Sequence, residues 1–180
     1  MELHEGIALI EDDSLRMGGA QSWADLGCGA GFFTEALASL VPAESRIYAV
    51  DKSLPLPLKR TTTRRVAIHP LQRDFVRDEL PFAELDGILM ANSLHYVRNQ
   101  LDFLQKVQSI LKADHRFLIV EYDIERANPW VPYPVSFATT QKLFRQAGYP
   151  TILKLHERLP VRGFDKMYAA MAFRSANSAE

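Results

Sequence analysis

The chain has 180 residues and a formal net charge of −1, with 47% hydrophobic and 24% charged residues. These values are typical of one soluble globular domain with a sizeable core, expected to cover residues 1–180 with a short N-terminal segment over 1–20 and the core over 22–174. The near-neutral charge argues against nucleic acid or an anionic membrane as partner, and the single cysteine, Cys28, excludes an internal disulfide and fits a reducing, cytoplasmic setting.

The first part of the chain alternates predicted helices with apolar strands. Hydrophobic periodicity predicts a short helix over residues 3–10, a buried strand over 22–26, a helix over 32–40 and a strand over 46–51. The next segment, KSLPLPLKRTTTRR, contains Pro55 and Pro57. Because proline breaks a helix interior, a normal crossover helix is not expected there.

The second part continues the alternation and closes with two strands. The pattern predicts a strand that runs into a loop over 66–75, and further strands over 85–93 and 116–123. It predicts a helix over 99–112, with Leu101, Leu104, Val107 and Leu111 on one face. A stiff proline-rich loop over 128–134, a helix over 139–147 and strands over 151–159 and 165–175 are expected to follow. Gly148 is expected to end the last helix in a left-handed conformation. The closing strands are expected to pair through a turn at residues 160–163.

The strands point to a sheet that is covered by helices on both faces. GILMA and FLIV are continuous apolar runs, which is typical of parallel strands buried on both sides. In such sheets ligands bind outside the carboxyl ends of the strands, where the strand order reverses. The first predicted strand ends in a run of glycines, so the functional site is expected there.

That glycine run, WADLGCGAGFFT over residues 23–34, carries three glycines in five residues. A phosphate-binding P-loop needs Lys followed by Ser or Thr after its last glycine, but Phe32 and Phe33 follow Gly31. A dinucleotide-binding turn that starts at Gly27 needs a small residue at position 32, where Phe32 stands. The pattern that remains is Asp25-x-Gly27-x-Gly29-x-Gly31.

This pattern, within DLGCGAGFFTEALA, resembles the first motif of class I S-adenosylmethionine-dependent methyltransferases. The resemblance extends over about residues 22–174 and implies an α/β fold: a Rossmann-like, doubly wound, seven-stranded, mostly parallel sheet with a reversed last strand. It also implies S-adenosyl-L-methionine as cofactor, with Asp25 helping to anchor the ammonium group of its methionine tail. Glycine would admit this bulky zwitterion close to the backbone; a plain tight turn is the alternative. The motif residues implied to bind the cofactor are Asp25, Leu26, Gly27, Cys28, Gly29, Gly31 and Phe32.

Further cofactor contacts follow from the same resemblance. Asp51 and Lys52 end the second strand, where a carboxylate would accept both ribose hydroxyls; the alternative for Asp51 is a solvated turn residue. Asp74 would bond the adenine amino group beside Phe75, with Asp78 as the rival. After the fourth strand, Asn92 and Ser93 can donate or accept hydrogen bonds at the tail or the adenosine.

The acceptor side is expected beyond the fourth and fifth strands. His95 is a candidate general base for a hydroxyl acceptor; alternatively it is a partly buried histidine that caps the next helix. Aromatic residues placed near strand ends and in the proline-rich loop would bind the acceptor: Tyr96, Tyr122, Trp130, Tyr133 and Phe137. The five histidines are dispersed without ligand spacing, so no metal site is expected.

The expected function is methyl transfer from S-adenosylmethionine to a small-molecule acceptor. One alternative is a non-catalytic cofactor-binding or partner-regulating protein on the same fold, and another is an RNA methyltransferase. The basic cluster Lys59, Arg60, Arg64 and Arg65 is either a solvated face or a site for an anionic acceptor or RNA. Nucleic acid is not favoured as partner, no membrane contact is expected, and the protein is expected to be a monomer or homodimer.

Overall fold

The computed structural model describes residues 1–53, 65–159 and 166–174. The seven strands are β1 (Ser22–Leu26), β2 (Arg46–Asp51), β3 (Ala67–Gln72), β4 (Leu85–Ala91), β5 (Leu111–Tyr122), β6 (Thr151–Arg158) and β7 (Met167–Arg174). The α-helices of the described part are α1 (Leu3–Ile10), α2 (Phe32–Ala38), α3 (Gln100–Val107) and α4 (Phe137–Gln146). Short 3₁₀ turns cover Asp13–Leu15, Leu94–Tyr96 and Gln108–Ile110.

The strands form one sheet in the order β3-β2-β1-β4-β5-β7-β6. Strands β1 to β5 pair in parallel, whereas β7 runs antiparallel to both β5 and β6. The predicted fold class is therefore confirmed, including the reversed last strand. The predicted turn at 160–163 and the predicted break at Pro55 and Pro57 lie outside the described residues.

Two hydrophobic layers enclose the sheet because its central strands present apolar side chains on both faces. Trp23 of β1 lies in the layer with α1 and α2, whereas Leu26 of the same strand lies in the layer with α3 and α4. The two layers are made by alternate residues of one strand, as the pleat requires. Because β1 to β5 run parallel, their carboxyl ends all lie at the same edge of the sheet.

The helix predicted over 99–112 is wrong in its second half. Helix α3 ends at Val107, and Leu111 begins β5, where it pairs with Leu85 of β4. Leu111 has the spacing of a residue on the buried face of a helix. In β5, however, its backbone pairs with β4 and its side chain is buried as well. Pairing between distant segments therefore overrides the local helical pattern and starts β5 five residues earlier than predicted.

Two residues in the left-handed backbone conformation mark the ends of α4 and β4. Gly148 has φ +91° and follows Ala147, the residue that caps the carboxyl end of α4, which confirms the predicted helix stop. Strand β4 ends at Ala91, two residues before the predicted end, because Asn92 has φ +53°. A left-handed non-glycine residue is uncommon and directs the chain sharply away from the strand.

Gly87 of β4 is required by the close packing of Trp23, its neighbour on β1. A Cβ atom at position 87 would lie 2.4 Å from Cζ3 of the fully buried Trp23 ring. We expect Gly87→Ala to lower the free energy of unfolding by about 1–3 kcal/mol through overpacking, measured by urea unfolding. Gly19→Ala is the control, since no atom lies within 4 Å of its Cβ position; equal stability of the two variants would contradict the expectation.

Candidate functional site

A cavity of about 510 Å³ opens at the carboxyl ends of the parallel strands. It lies where the strand order reverses between β1 and β4, which is the position expected for a ligand in an open α/β sheet. Its walls come from the segments that follow five strands, and the lining residues are Gly27, Asp51, Lys52, Asp74, Phe75, Val76, Arg77, Asn92, Ser93, Tyr96, Arg98 and Tyr133.

The glycine turn after β1 packs directly against the loop after β4. Gly27 has φ +83°, and a Cβ atom there would lie 2.5 Å from Cβ of Ser93. The hydroxyl of Ser93 donates a 2.6 Å hydrogen bond to the carbonyl of Leu26 in the strand below. Protein packing and a positive φ therefore both require glycine at position 27.

Gly29 differs from Gly27 because no atom lies near its missing side chain. It has φ +51°, and a Cβ atom at this position would meet nothing within 4 Å. Its backbone N–H donates a 2.9 Å hydrogen bond to Oδ2 of Asp51. Gly29 therefore presents bare backbone to open space at the ligand edge of the sheet.

Asp51 lines the cavity and also braces the glycine turn. While Oδ2 accepts from Gly29, Oδ1 accepts a 2.9 Å hydrogen bond from the backbone N–H of Ser53. A carboxylate oxygen can accept more than one hydrogen bond, so each oxygen retains capacity for a hydroxyl donor. Lys52, the next residue, is exposed and lines the same cavity.

Asp25 lies beneath the turn and is almost completely buried. Its Oδ2 accepts a 2.5 Å hydrogen bond from the Thr34 hydroxyl, whereas its Oδ1 has no partner among the described residues. Burial raises the pKa of Asp25 to about 7; the Thr34 bond opposes this shift and the charge of Asp51 adds to it. Burial also raises the pKa of the Cys28 thiol, so this side chain is a small neutral group rather than a nucleophile.

The segment after β3 brings Asp74 and Phe75 to the cavity. Oδ1 of Asp74 accepts from the backbone N–H groups of Val76 and Arg77, which fixes the turn. Phe75 packs edge-to-face on Phe103 of α3 with ring centroids 5.7 Å apart. The rival acid Asp78 is exposed and lines a separate depression instead.

The loop after β4 supplies a second unpartnered oxygen. The backbone N–H of Asn92 donates a 2.8 Å hydrogen bond to Val120 of β5, while Oδ1 of its side chain is buried without a partner among the described residues. Buried polar atoms are normally hydrogen-bonded, so an orphan acceptor at a cavity wall marks a place for a ligand donor. Asp25 and Asn92 carry the two buried side-chain oxygens without a partner in the described part of the chain, and of these two residues Asn92 lines the cavity.

His95 does not line the cavity and is only 2% exposed. Its Nδ1 lies 2.6 Å from Oε2 of Glu121, and its backbone N–H donates to Oε1 of the same carboxylate. Glu121 is completely buried in β5. The pair therefore fastens the turn Leu94–Tyr96 to β5. Sequence analysis missed Glu121, although an acid within the apolar run FLIVEY is a detectable signal.

The five predicted acceptor aromatics divide into two groups. Tyr96 and Tyr133 line the cavity and are 55% and 38% exposed. Trp130 is 80% exposed at the tip of the Asn128–Val131 turn, Phe137 packs edge-to-face on Tyr168 at 5.5 Å, and Tyr122 lies partly buried against the α1–α2 layer. These three do not line the cavity.

The remaining predicted cofactor residues lie in or beneath the turn rather than on the cavity wall. Leu26 is fully buried in the core, and Gly31 has φ +83° at the start of α2. Phe32 packs under the N-terminal helix, since a Cβ atom at Gly6 would lie 2.5 Å from Cε1 of its ring. Arg77 also lines the cavity, and so do Val76 and Arg98, which were not predicted from the sequence.

The described residues add three further observations. They include no group of three or more His, Cys, Asp or Glu side chains placed to hold a metal ion. None of the helices in the described ranges is long and apolar enough to cross a membrane. Lys59, Arg60 and Arg64 of the predicted basic cluster lie outside the described residues, while Arg65 forms an exposed ion pair with Glu44.

Similar structures share this fold over almost the whole chain. The 1,6-didemethyltoxoflavin-N1-methyltransferase of Burkholderia thailandensis, solved with 1,6-didemethyltoxoflavin and S-adenosylhomocysteine, is 20% identical with a TM-score of 0.70, covering 96% of this chain and 78% of that chain. The YcgJ protein of Bacillus subtilis is 14% identical with a TM-score of 0.69, covering 96% and 99%. A SAM-dependent methyltransferase of Aquifex aeolicus is 18% identical with a TM-score of 0.61, covering 97% and 99%. Among curated proteins, none matches the chain significantly.

A family model described as a methyltransferase domain matches residues 24–114, which is half of the chain. The matched range begins in β1 and contains the glycine turn, Asp51, Asp74 and the loop after β4. It therefore contains every lining residue of the cavity except Tyr133. The chain belongs to this methyltransferase-domain family and is a class I methyltransferase that uses S-adenosylmethionine.

Proposed function

We propose that this enzyme methylates a small molecule, which binds beside the methyl group at the β4–β5 end of the cavity. One observation carries the proposal: the cavity extends beyond the region over β1 to β3 and continues to Tyr96 and Tyr133. This extension is concave, aromatic-walled and continuous with the proposed cofactor region, as is usual for small-molecule sites. A small molecule would be enough to fill this extension, and the proposal does not require a long groove of the kind that binds RNA.

The residues of the cavity fit S-adenosylmethionine in donor and acceptor chemistry. The cofactor's ammonium group and ribose hydroxyls are hydrogen-bond donors, and two orphan oxygens are acceptors: that of Asn92 on the cavity wall and that of Asp25 beneath the glycine turn. The open space beside Gly29 suits a methionine tail that passes close to backbone. Asp51 is proposed to accept from the ribose, and Asp74 with Phe75 to hold the adenine.

When bound, S-adenosylmethionine supplies a methyl group that its sulfonium makes electrophilic. The chain contributes orientation, because Asp51 and the glycine turn would fix the donor while Tyr96 and Tyr133 would confine the acceptor in line with it. His95 is engaged by Glu121 and does not line the cavity, which supports a role in holding the turn rather than in taking a proton. This proposal suits an acceptor that is nucleophilic without a protein base.

Calorimetry and product analysis test the proposal together. We expect S-adenosylmethionine and S-adenosylhomocysteine to bind and NAD not to bind, because the turn lacks the small residue that a dinucleotide turn requires. Incubation with a metabolite extract should transfer labelled methyl groups to small molecules. Binding without any labelled product would indicate a non-catalytic cofactor-binding protein, whereas label in RNA alone would indicate the RNA methyltransferase alternative.

Gly29→Val tests whether the bare backbone serves the cofactor. The valine side chain would occupy the open space beside the turn, so S-adenosylhomocysteine should no longer raise the melting temperature of the variant, whereas it should raise that of the parent protein. Gly18→Val is a matched control, because Gly18 also has a positive φ and free space around its Cβ position but precedes β1, whereas Gly29 follows the carboxyl end of that strand. Undiminished ligand stabilisation of Gly29→Val would assign the glycine to the turn alone.

The raised pKa of Asp25 predicts that cofactor binding depends on pH. Without ligand the buried carboxyl holds its proton below about pH 7, whereas a nearby ammonium group favours the ionised form. Affinity for S-adenosylhomocysteine should therefore increase as pH rises from 5.5 to 7.5, by roughly tenfold, with one proton released on binding at the lower pH. Calorimetry in two buffers of different ionisation enthalpy measures that proton. Asp25→Asn should abolish the pH dependence; the same slope in both proteins would contradict the prediction.

A further inference from the structure

The residues that line the cavity are arranged by the strand that they follow. Asp74 and Phe75 follow β3, Asp51 is the last residue of β2, and Gly27 follows β1. On the other side of the reversal, Tyr96 follows β4 and Tyr133 follows β5. If the nucleoside lies over β2 and β3, as the proposed function holds, the tyrosine end is the part of the cavity left for the acceptor.

Charge differs between the two ends of the cavity. Both carboxylates on its wall, Asp51 and Asp74, lie at the nucleoside end, where Arg77 is offset by Asp74 at 3.7 Å. Arg98 lies in the segment after β4 with Tyr96 and makes no hydrogen bond or ion pair with any described residue. Among the described residues, the acceptor end therefore carries a guanidinium without a partner and no lining carboxylate.

The two tyrosines at this end are held by one hydrogen-bonded framework. The carbonyl of His95 accepts a 3.0 Å hydrogen bond from the backbone N–H of Tyr133. Nε2 of Gln100 donates to the carbonyls of both Tyr133 and Leu94. Because Glu121 fastens His95 to β5, the backbones that carry Tyr96 and Tyr133 are fixed relative to the sheet. The aromatic wall is preorganised rather than formed by a loose loop.

We propose that the acceptor is a small aromatic anion, with its flat ring against Tyr96 and Tyr133 and its carboxylate or other oxyanion on Arg98. This inference rests on the proposed function and specifies the acceptor class. Tyrosine rings favour contact with a flat aromatic ring. The planar guanidinium forms paired, charge-assisted hydrogen bonds with an oxyanion, and it would hold the negative group at the end of the cavity away from Asp51 and Asp74.

Three probes of one shape and different charge test the acceptor class: 2-naphthoate, 2-naphthamide and 2-naphthylmethylamine. Each is titrated into protein saturated with S-adenosylhomocysteine, and the dissociation constant is read by calorimetry. We expect the naphthoate to bind at least roughly tenfold more tightly than the amide, with the ammonium probe weakest, because only the naphthoate offers a negative charge and two acceptor oxygens to the guanidinium.

Variants locate the interaction on the named side chains. Arg98→Gln should remove the preference for naphthoate over naphthamide, and Arg98→Lys should retain part of it. Arg145→Gln is the matched control: it removes the same charge from an exposed position of α4 that does not line the cavity, and the preference should stay unchanged. Tyr133→Leu should weaken both naphthoate and naphthamide, whereas Tyr133→Phe should not.

The outcomes separate this inference from the proposed function. If S-adenosylhomocysteine does not bind, the proposed function fails and the inference fails with it. If S-adenosylhomocysteine binds but no naphthalene probe does, or the three probes bind equally, or the ammonium probe binds best, the acceptor class is wrong while the cofactor site stands. A naphthoate preference that survives Arg98→Gln also overturns the inference, because the anion then binds elsewhere.

Discussion

The cavity depends on the contact between the glycine turn after β1 and Ser93 in the loop after β4. These two segments diverge at the reversal of strand order, and the absence of a side chain at Gly27 lets them approach to van der Waals distance. The Ser93 hydroxyl then bonds to the carbonyl of Leu26 and fastens the loop to the strand. A side chain at position 27 would separate the two segments and displace the Asn92 oxygen from its place near the turn.

Two buried carboxylates support the two halves of this site in different ways. Glu121 is fully paired, since the ring and backbone of His95 occupy both of its oxygens, and this pairing holds the turn that carries Tyr96. Asp25 is only half satisfied, because Thr34 bonds one oxygen and the other has no partner within the described ranges. A buried carboxylate with both oxygens hydrogen-bonded stabilises one arrangement of the segments around it. A buried carboxylate with an oxygen that lacks a partner favours the binding of a hydrogen-bond donor.

The structures similar to this one are at most 20% identical among those compared above, yet they superpose over nearly the whole chain. Such conservation of shape without sequence follows from the sheet, whose buried positions accept many apolar residues of suitable size. The residues at the strand ends are not constrained in this way. Tyr96, Arg98 and Tyr133, on the proposed acceptor wall of the cavity, are therefore positions at which we expect this chain to differ in what it methylates.

The sequence alone determined the order of strands and helices, because hydrophobic periodicity and the glycines and prolines that end elements are local features of the chain. It also contains the glycine motif and the acids near the strand ends, from which the resemblance to S-adenosylmethionine-dependent methyltransferases predicts the cofactor site. It did not determine that Leu111 joins β5, because Leu85 is distant in sequence and supplies the pairing only in the folded sheet. For the same reason only the tertiary structure shows that Glu121 binds His95, that Arg98 lines the cavity and that Phe137 packs against Tyr168. Side-chain contacts between separate elements depend on relative positions that no local pattern encodes.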